Sequence, residues 1–184
     1  MVPIMSLLVP IVVSAVLVFI VSSIIHMFLG YHANDFIAVP DEEAIRSALR
    51  NLPPGEYGVP YAGSMEAMKS AEFTEKMKAG PVVLMTVSPG APPTMGKELT
   101  AWFVYCLVVS VFAAYIAGRA LEPGAHYLDV FRFAGATAFA GYALAQWQST
   151  IWYRRSAMTS LKNTFDGLVY ALVTAGVFGW LWPS

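Results

Sequence analysis

His26, Gln146 and Asp166 are the residues of this 184-residue chain whose types and placement point most directly to shared chemistry. Each falls near one end of a long run free of Asp, Glu, Lys and Arg, where a strongly polar side chain is costly and therefore marks a candidate site. Ser22 and Ser23 share the face of His26. Tyr142, Gln146, Ser149 or Thr150, and Tyr153 form a stripe at helical spacing, and Asn163, Thr164 and Asp166 open the last apolar run. At about 1.5 Å of rise per residue, His26, Gln146 and Asp166 come to within roughly 10 Å of one interface. The chemistry would be that of a polar pocket: Asp166 pairs with His26, and the pair binds a small ligand, an ion or a relayed proton. The ordinary alternative needs no ligand. Asn163 or Thr164 caps a helix, Asp166 complements its dipole, and His26 donates to a nearby carbonyl.

A second constellation, His26, His32 and Asp35, surrounds Gly30, where the first helix is expected to end. Imidazole and carboxylate suit zinc, iron or manganese. Spacings of six and three match no established metal motif, so a third firm ligand has to come from elsewhere in the chain. Haem is disfavoured, because the expected topology sends the remaining histidine, His126, to the opposite membrane face. Glu122, His126, Asp129 and Arg132 read as an interfacial ion-pair set that lets Arg132 reach water. The one cysteine, Cys106, lies in apolar company and excludes a disulfide framework or a CxxC pair. No Walker loop, dinucleotide fingerprint, nucleophile elbow or HExxH is present, and the residues name no cofactor.

The elements that must position these residues follow from composition. Hydrophobic residues make up 57% and charged residues 12%, against about 25% charged in an ordinary soluble domain, and the mean hydropathy is +0.58. Eleven Lys and Arg against twelve Asp and Glu leave a net charge of −1, so no basic field exists to hold nucleic acid. A spanning helix needs about 20 mostly apolar residues. Four segments are long enough, roughly 5–29, 100–119, 127–152 and 164–182. The run 79–96 is excluded, since Pro81, Pro89, Pro92 and Pro93 leave only Val82 to Val87 unbroken, an ordered loop with one short strand at most. The first segment has no leading Lys or Arg and is too long for a cleavable signal, so it reads as a retained helix.

The expectation is therefore an all-α integral membrane protein, a four-transmembrane-helix bundle. Helix 1 occupies 1–30, an ordered extramembrane segment of about 70 residues occupies 31–99, and helices 2–4 occupy 100–184. Arg46, Arg50, Lys69, Lys76, Lys78, Lys97, Arg154, Arg155 and Lys162 on one side against Arg119 and Arg132 on the other make 31–99 cytoplasmic and both termini periplasmic. Ala134, Ala138, Gly141 and Ala145 provide a small-residue face that puts the third span at the bundle centre. In the long segment, Pro40 followed by Asp41, Glu42 and Glu43 starts one short amphipathic helix. Ser70 caps another from Ala71 to Ala79, which Gly80-Pro81 ends.

The stretches MKSAEFTEKMKAGP, MGKELTAWFVY and KNTFDGLVYALVTAGVFGWLWP resemble a family of small uncharacterised bacterial inner-membrane proteins over nearly the whole chain. The resemblance implies a bacterial inner-membrane setting and carries no catalytic residue across. The leading functional expectation is an accessory or scaffold subunit. It would act through helix packing in the lipid bilayer, with a second copy or a membrane-complex partner. The rival is a membrane-embedded small-ligand, ion or metal-binding protein or enzyme using the polar cluster at the cytoplasmic end.

Overall fold

The computed structural model describes residues 1–92 and 94–184. Pro93, one of the prolines of the broken run, lies outside them. The chain divides into two compact units, one made of Met1–Phe36 with Thr94–Ser184 and the other of the segment between them.

In the first unit, a 3-10 turn at Ile4–Leu7 leads into helix α1, Leu8–Phe28. Uninterrupted apolar sequence favours helix here because every backbone amide is satisfied within the segment. The helix stops where Gly30 takes a positive φ of 65°, a conformation that a residue with a Cβ rarely adopts. After the second unit the chain returns in α5, Gly96–Ala120. Two hydrogen bonds join α1 to α5: Ser14 Oγ donates to Ser110 Oγ at 3.0 Å and Trp102 Nε1 donates to Ser22 Oγ at 2.8 Å. Ascending positions on α1 meet descending positions on α5, so the pair is antiparallel.

The chain continues through α6, Tyr127–Tyr142, a 3-10 turn at Leu144–Gln146, α7, Trp147–Tyr153, and α8, Ala157–Trp180. Helix α6 runs along α8 on small residues. A Cβ added to Gly135 would stand 3.0 Å from the Ala175 methyl, and one on Gly167 would stand 2.8 Å from that of Ala143. Ala134, Ala138, Ala171 and Ala175 are buried in this seam, as expected of packing that relies on close approach. Ala145 is exposed and takes no part.

The four-span expectation is overturned. Among the described residues, two helices are long and apolar enough to cross a membrane, Ile4–Phe28 and Gly96–Ala120. The expected third span breaks. Helix α6 ends after 16 residues, about 24 Å, and carries Asp129 and Arg132 in its first turns. Ala143 leaves helical geometry at φ −120° and ψ −52°, and the Gln146 side chain donates from Nε2 to the Tyr142 carbonyl at 2.6 Å, replacing a bond the broken ladder has lost. The expected fourth span starts at Ala157, where Ser156 accepts from the Thr159 amide. It therefore carries Lys162, Asn163 and Asp166 inside the helix, and only 14 residues follow Asp166. That length reaches about 21 Å, short of a hydrocarbon core of about 30 Å.

The fold is also not all-α. In the second unit, β1, Gly55–Val59, pairs antiparallel with β2, Val83–Val87, in the register Gly55↔Val87 to Val59↔Val83. The strand expected within Val82 to Val87 is β2; its partner, interrupted by Gly58, has no apolar run that would mark it. Three helices complete this unit: α2, Glu42–Leu49, α3, Met65–Met68, and α4, Ala71–Ala79. Asp41 caps α2 by accepting from Ala44, and Ser70 caps α4 by accepting from Phe73, the two starts legible in the sequence.

Substituting Gly167→Val is expected to lower the unfolding free energy of the detergent-solubilised protein by about 1–3 kcal/mol through overpacking against Ala143. Gly96→Ala, with nothing within 4 Å of the added methyl, should leave the thermal midpoint unchanged or slightly raised.

Candidate metal centre

Helix α1 ends two residues beyond His26, and the reversal at Gly30 brings Tyr31 and His32 back over that end. The His26 and His32 rings lie 4.7 Å apart between centroids, and Tyr31 stacks on His32 at 4.4 Å. Asp166 reaches the same point from α8. Its Oδ2 is 2.8 Å from His32 Nε2 and 4.0 Å from His26 Nε2, while its Oδ1 accepts from the Tyr31 hydroxyl. Asp166 is almost fully buried, whereas half of the His26 side chain is exposed.

A buried carboxylate needs partners, and here they come from the far end of the chain. Asp35 and Lys162 hold them in place. Asp35 Oδ2 lies 2.6 Å from His32 Nδ1, and its Oδ1 accepts from Lys162 Nζ at 2.8 Å. Lys162 also donates to the Tyr31 carbonyl at 2.6 Å, so one ammonium ties the 30–36 turn to α8. The Lys162 ammonium, and after it the His32 ring, hold the Asp35 carboxyl below the usual carboxylate range. Burial, followed by the hydrogen bond to Asp166, pushes the Tyr31 phenol up, so it remains a donor to Asp166 at neutral pH.

His26 Nε2, His32 Nε2 and an Asp166 oxygen are the donor set a divalent metal would use; the ligand atoms of the three residues all lie within 4.8 Å of one another. Metal–ligand bonds of about 2.0–2.2 Å at tetrahedral angles put donors about 3.4 Å apart. The separations of 2.8 and 4.0 Å to Asp166 Oδ2 lie on either side of that spacing, and the half-exposed His26 ring has room to adjust. Asp35 on the far nitrogen of His32 fixes which ring nitrogen faces the ion, the arrangement that ordinarily supports a metal-bound histidine.

The site opens into a cleft of about 370 Å³ between the end of α1 and the start of α5. His26, Asp166 and Gln146 all line it, so the structure brings the first expected constellation to one cavity. The second is rearranged: His26 and His32 converge as expected, but Asp35 stands behind His32 and Asp166 takes the ligand position. The capping alternative for Asp166 fails because α8 begins nine residues before it, at Ala157. His26 approaches the Tyr170 hydroxyl at 3.5 Å. Across the molecule, His126 caps α6, accepting from Leu128, and Arg132 pairs with Asp129 at 3.3 Å.

Tyr31, Lys162 and Tyr170 belong to the site and were not singled out by sequence reasoning. Lys162 had a detectable signal: four residues before Asp166, it shares that residue's face once α8 is extended back to Ser156.

Removing the ammonium with Lys162→Met leaves Asp35 a partly buried charge without its strongest partner. The metal-free protein is expected to lose about 1.5–3 kcal/mol of stability, measured by denaturation in detergent, with the larger part regained in Lys162→Arg. No family profile, curated protein or solved structure matches the chain.

Proposed function

We propose that the chain is a membrane-associated metalloprotein in which His26, His32 and Asp166 hold one divalent transition ion, with open positions toward the cleft. One observation carries the reading. Two imidazole nitrogens from either side of a chain reversal are aimed at one carboxylate oxygen, and the far nitrogen of one imidazole is held by Asp35. Two histidines and a carboxylate are a donor set used by zinc and by non-haem iron(II), and three protein ligands leave room for water or a bound molecule. Such an ion would act as a Lewis acid on an oxygen bound in the cleft. A scaffold acting through small-residue faces has less support, because Ala134, Ala138, Ala171 and Ala175 are already buried within this chain.

The apolar lengths of α1 and α5 support a membrane setting, and we extend the proposal to a bacterial inner membrane with 31–95 on the cytoplasmic side. Arg46, Arg50, Lys69, Lys76 and Lys78, with Lys97 at the start of α5, favour that side. A cysteine placed within 53–63 should then react with a membrane-impermeant maleimide only after the inner membrane is opened. Labelling of intact spheroplasts would reverse the orientation.

Metal analysis of protein purified without chelators, followed by calorimetric titration with zinc, tests the centre. One equivalent should bind. Asp166→Asn and His32→Ala should each remove binding, and Asp35→Asn should weaken it by about 10–100-fold as the loss of a supporting partner does elsewhere. Unaltered affinity in Asp166→Asn would refute the proposal. Acidification should release the ion, because protons compete for the same nitrogen and oxygen donors.

A further inference from the structure

The cleft has a composition of its own. Met27, Leu99, Trp102, Tyr142 and Tyr170 make most of its wall apolar, and Glu98, Gln146 and Asn163 add polar groups beside His26 and Asp166. The last turns of α1 and the first turns of α5, the adjoining ends of the two helices long and apolar enough to cross a membrane, make part of its wall, and the end of α6, the 3-10 turn and α8 complete it. Met27 and Met95 line its mouth and are 75% and 67% exposed, with Phe28 beside them at 76%. A cavity of about 370 Å³ holds about a dozen waters' worth of volume, enough for a headgroup and the first methylenes of a chain. An amphiphile lying along the exposed methionines would keep its tail among apolar helix ends and bring its headgroup to the metal.

Charge decides which headgroup. A divalent ion with two neutral imidazoles and one carboxylate carries one net positive charge. Glu98, an exposed acidic side chain on the cleft lining and the one besides Asp166, offsets it, and behind the centre Asp35 and Lys162 neutralise each other. An anionic headgroup would therefore bring uncompensated negative charge into a largely apolar wall, where repulsion is screened less than in water.

On the basis of the metal centre proposed above, we infer that this cleft binds an uncharged single-chain amphiphile whose hydroxyl or carbonyl oxygen takes an open metal position, with Glu98 rejecting anionic headgroups. The chemistry that recognises the ligand is a neutral oxygen donor on an acyl or alkyl chain.

The test uses the full chain in phosphatidylcholine nanodiscs, which supply no uncharged single-chain amphiphile, loaded with cobalt(II) so that the visible bands report the coordination sphere. Monodecanoylglycerol should shift those bands at a concentration lower by about tenfold or more than decanoate, a difference of about 1.4 kcal/mol, and glycerol alone should not shift them. Glu98→Gln should close most of that gap. Leu99→Trp, which fills the cleft from a partly exposed position, should weaken the monodecanoylglycerol response by about tenfold and leave the cobalt bands of the ligand-free protein as they were. Partitioning into the bilayer is the same in all variants, so it cannot imitate these differences. Cobalt bands that monodecanoylglycerol does not move, or that decanoate moves first, overturn the inference while the metal centre stands. An unaltered response in Leu99→Trp or an unaltered preference in Glu98→Gln also overturns it. Absence of cobalt bands removes the metal centre and this ligand with it.

Discussion

A carboxylate withdrawn from water must be compensated, and in this chain the burial of Asp166 sets the terms for everything around it. Its two oxygens are claimed by different partners, Tyr31 on one and the histidines on the other. Tyr31 and His32 lie on a seven-residue turn that would have little reason to fold over the end of α1, where His26 sits, without it. Lys162 reinforces the arrangement from the same helix, donating to the Asp35 carboxylate and to the Tyr31 carbonyl of that turn. The result is a polar knot at the edge of an otherwise apolar body, in which Asp35 pairs with Lys162 and Asp166 faces the two imidazoles.

The helices that carry the knot pack by two different means. Between α1 and α5, hydroxyl and indole groups make specific bonds, Ser14 to Ser110 and Trp102 to Ser22. Between α6 and α8, backbones approach closely because Gly135 and Gly167 present no side chain. The break at Ala143 belongs to the second means: its methyl sits over Gly167, one residue beyond Asp166, so the irregular backbone and the buried carboxylate share one stretch of α8. Gln146, displaced from a continuous helix, then faces the cleft from a 3-10 turn.

Much of this is legible in the sequence. The apolar runs locate α1 and α5, Pro40 with the acids after it and the Ser70 cap mark two short helices, and the polarity of His26, Gln146 and Asp166 inside apolar surroundings points to one cavity. The failures have physical causes. The sequence around Ala143 contains no proline to announce a break, and the signal is a tertiary contact with Gly167. Ser156 begins α8 behind two arginines, where hydropathy drops, so Asn163 and Thr164 looked like the cap. That misplaced start hid Lys162 among loop bases and gave Asp166 a dipole role it does not have. The exchange of Asp35 for Asp166 could not be read from spacing, because adjacency in sequence favoured the nearer acid and only the course of α8 brings the farther one into reach.

His32 and Asp166 are separated by 134 residues, and that distance has a meaning in time. While the chain is being made, the paired imidazoles exist long before their carboxylate does. An ion captured then would be held by two neutral ligands alone and readily lost. The completed grip awaits the docking of α8, so retention of the ion would report that the last helix has found its place against the first.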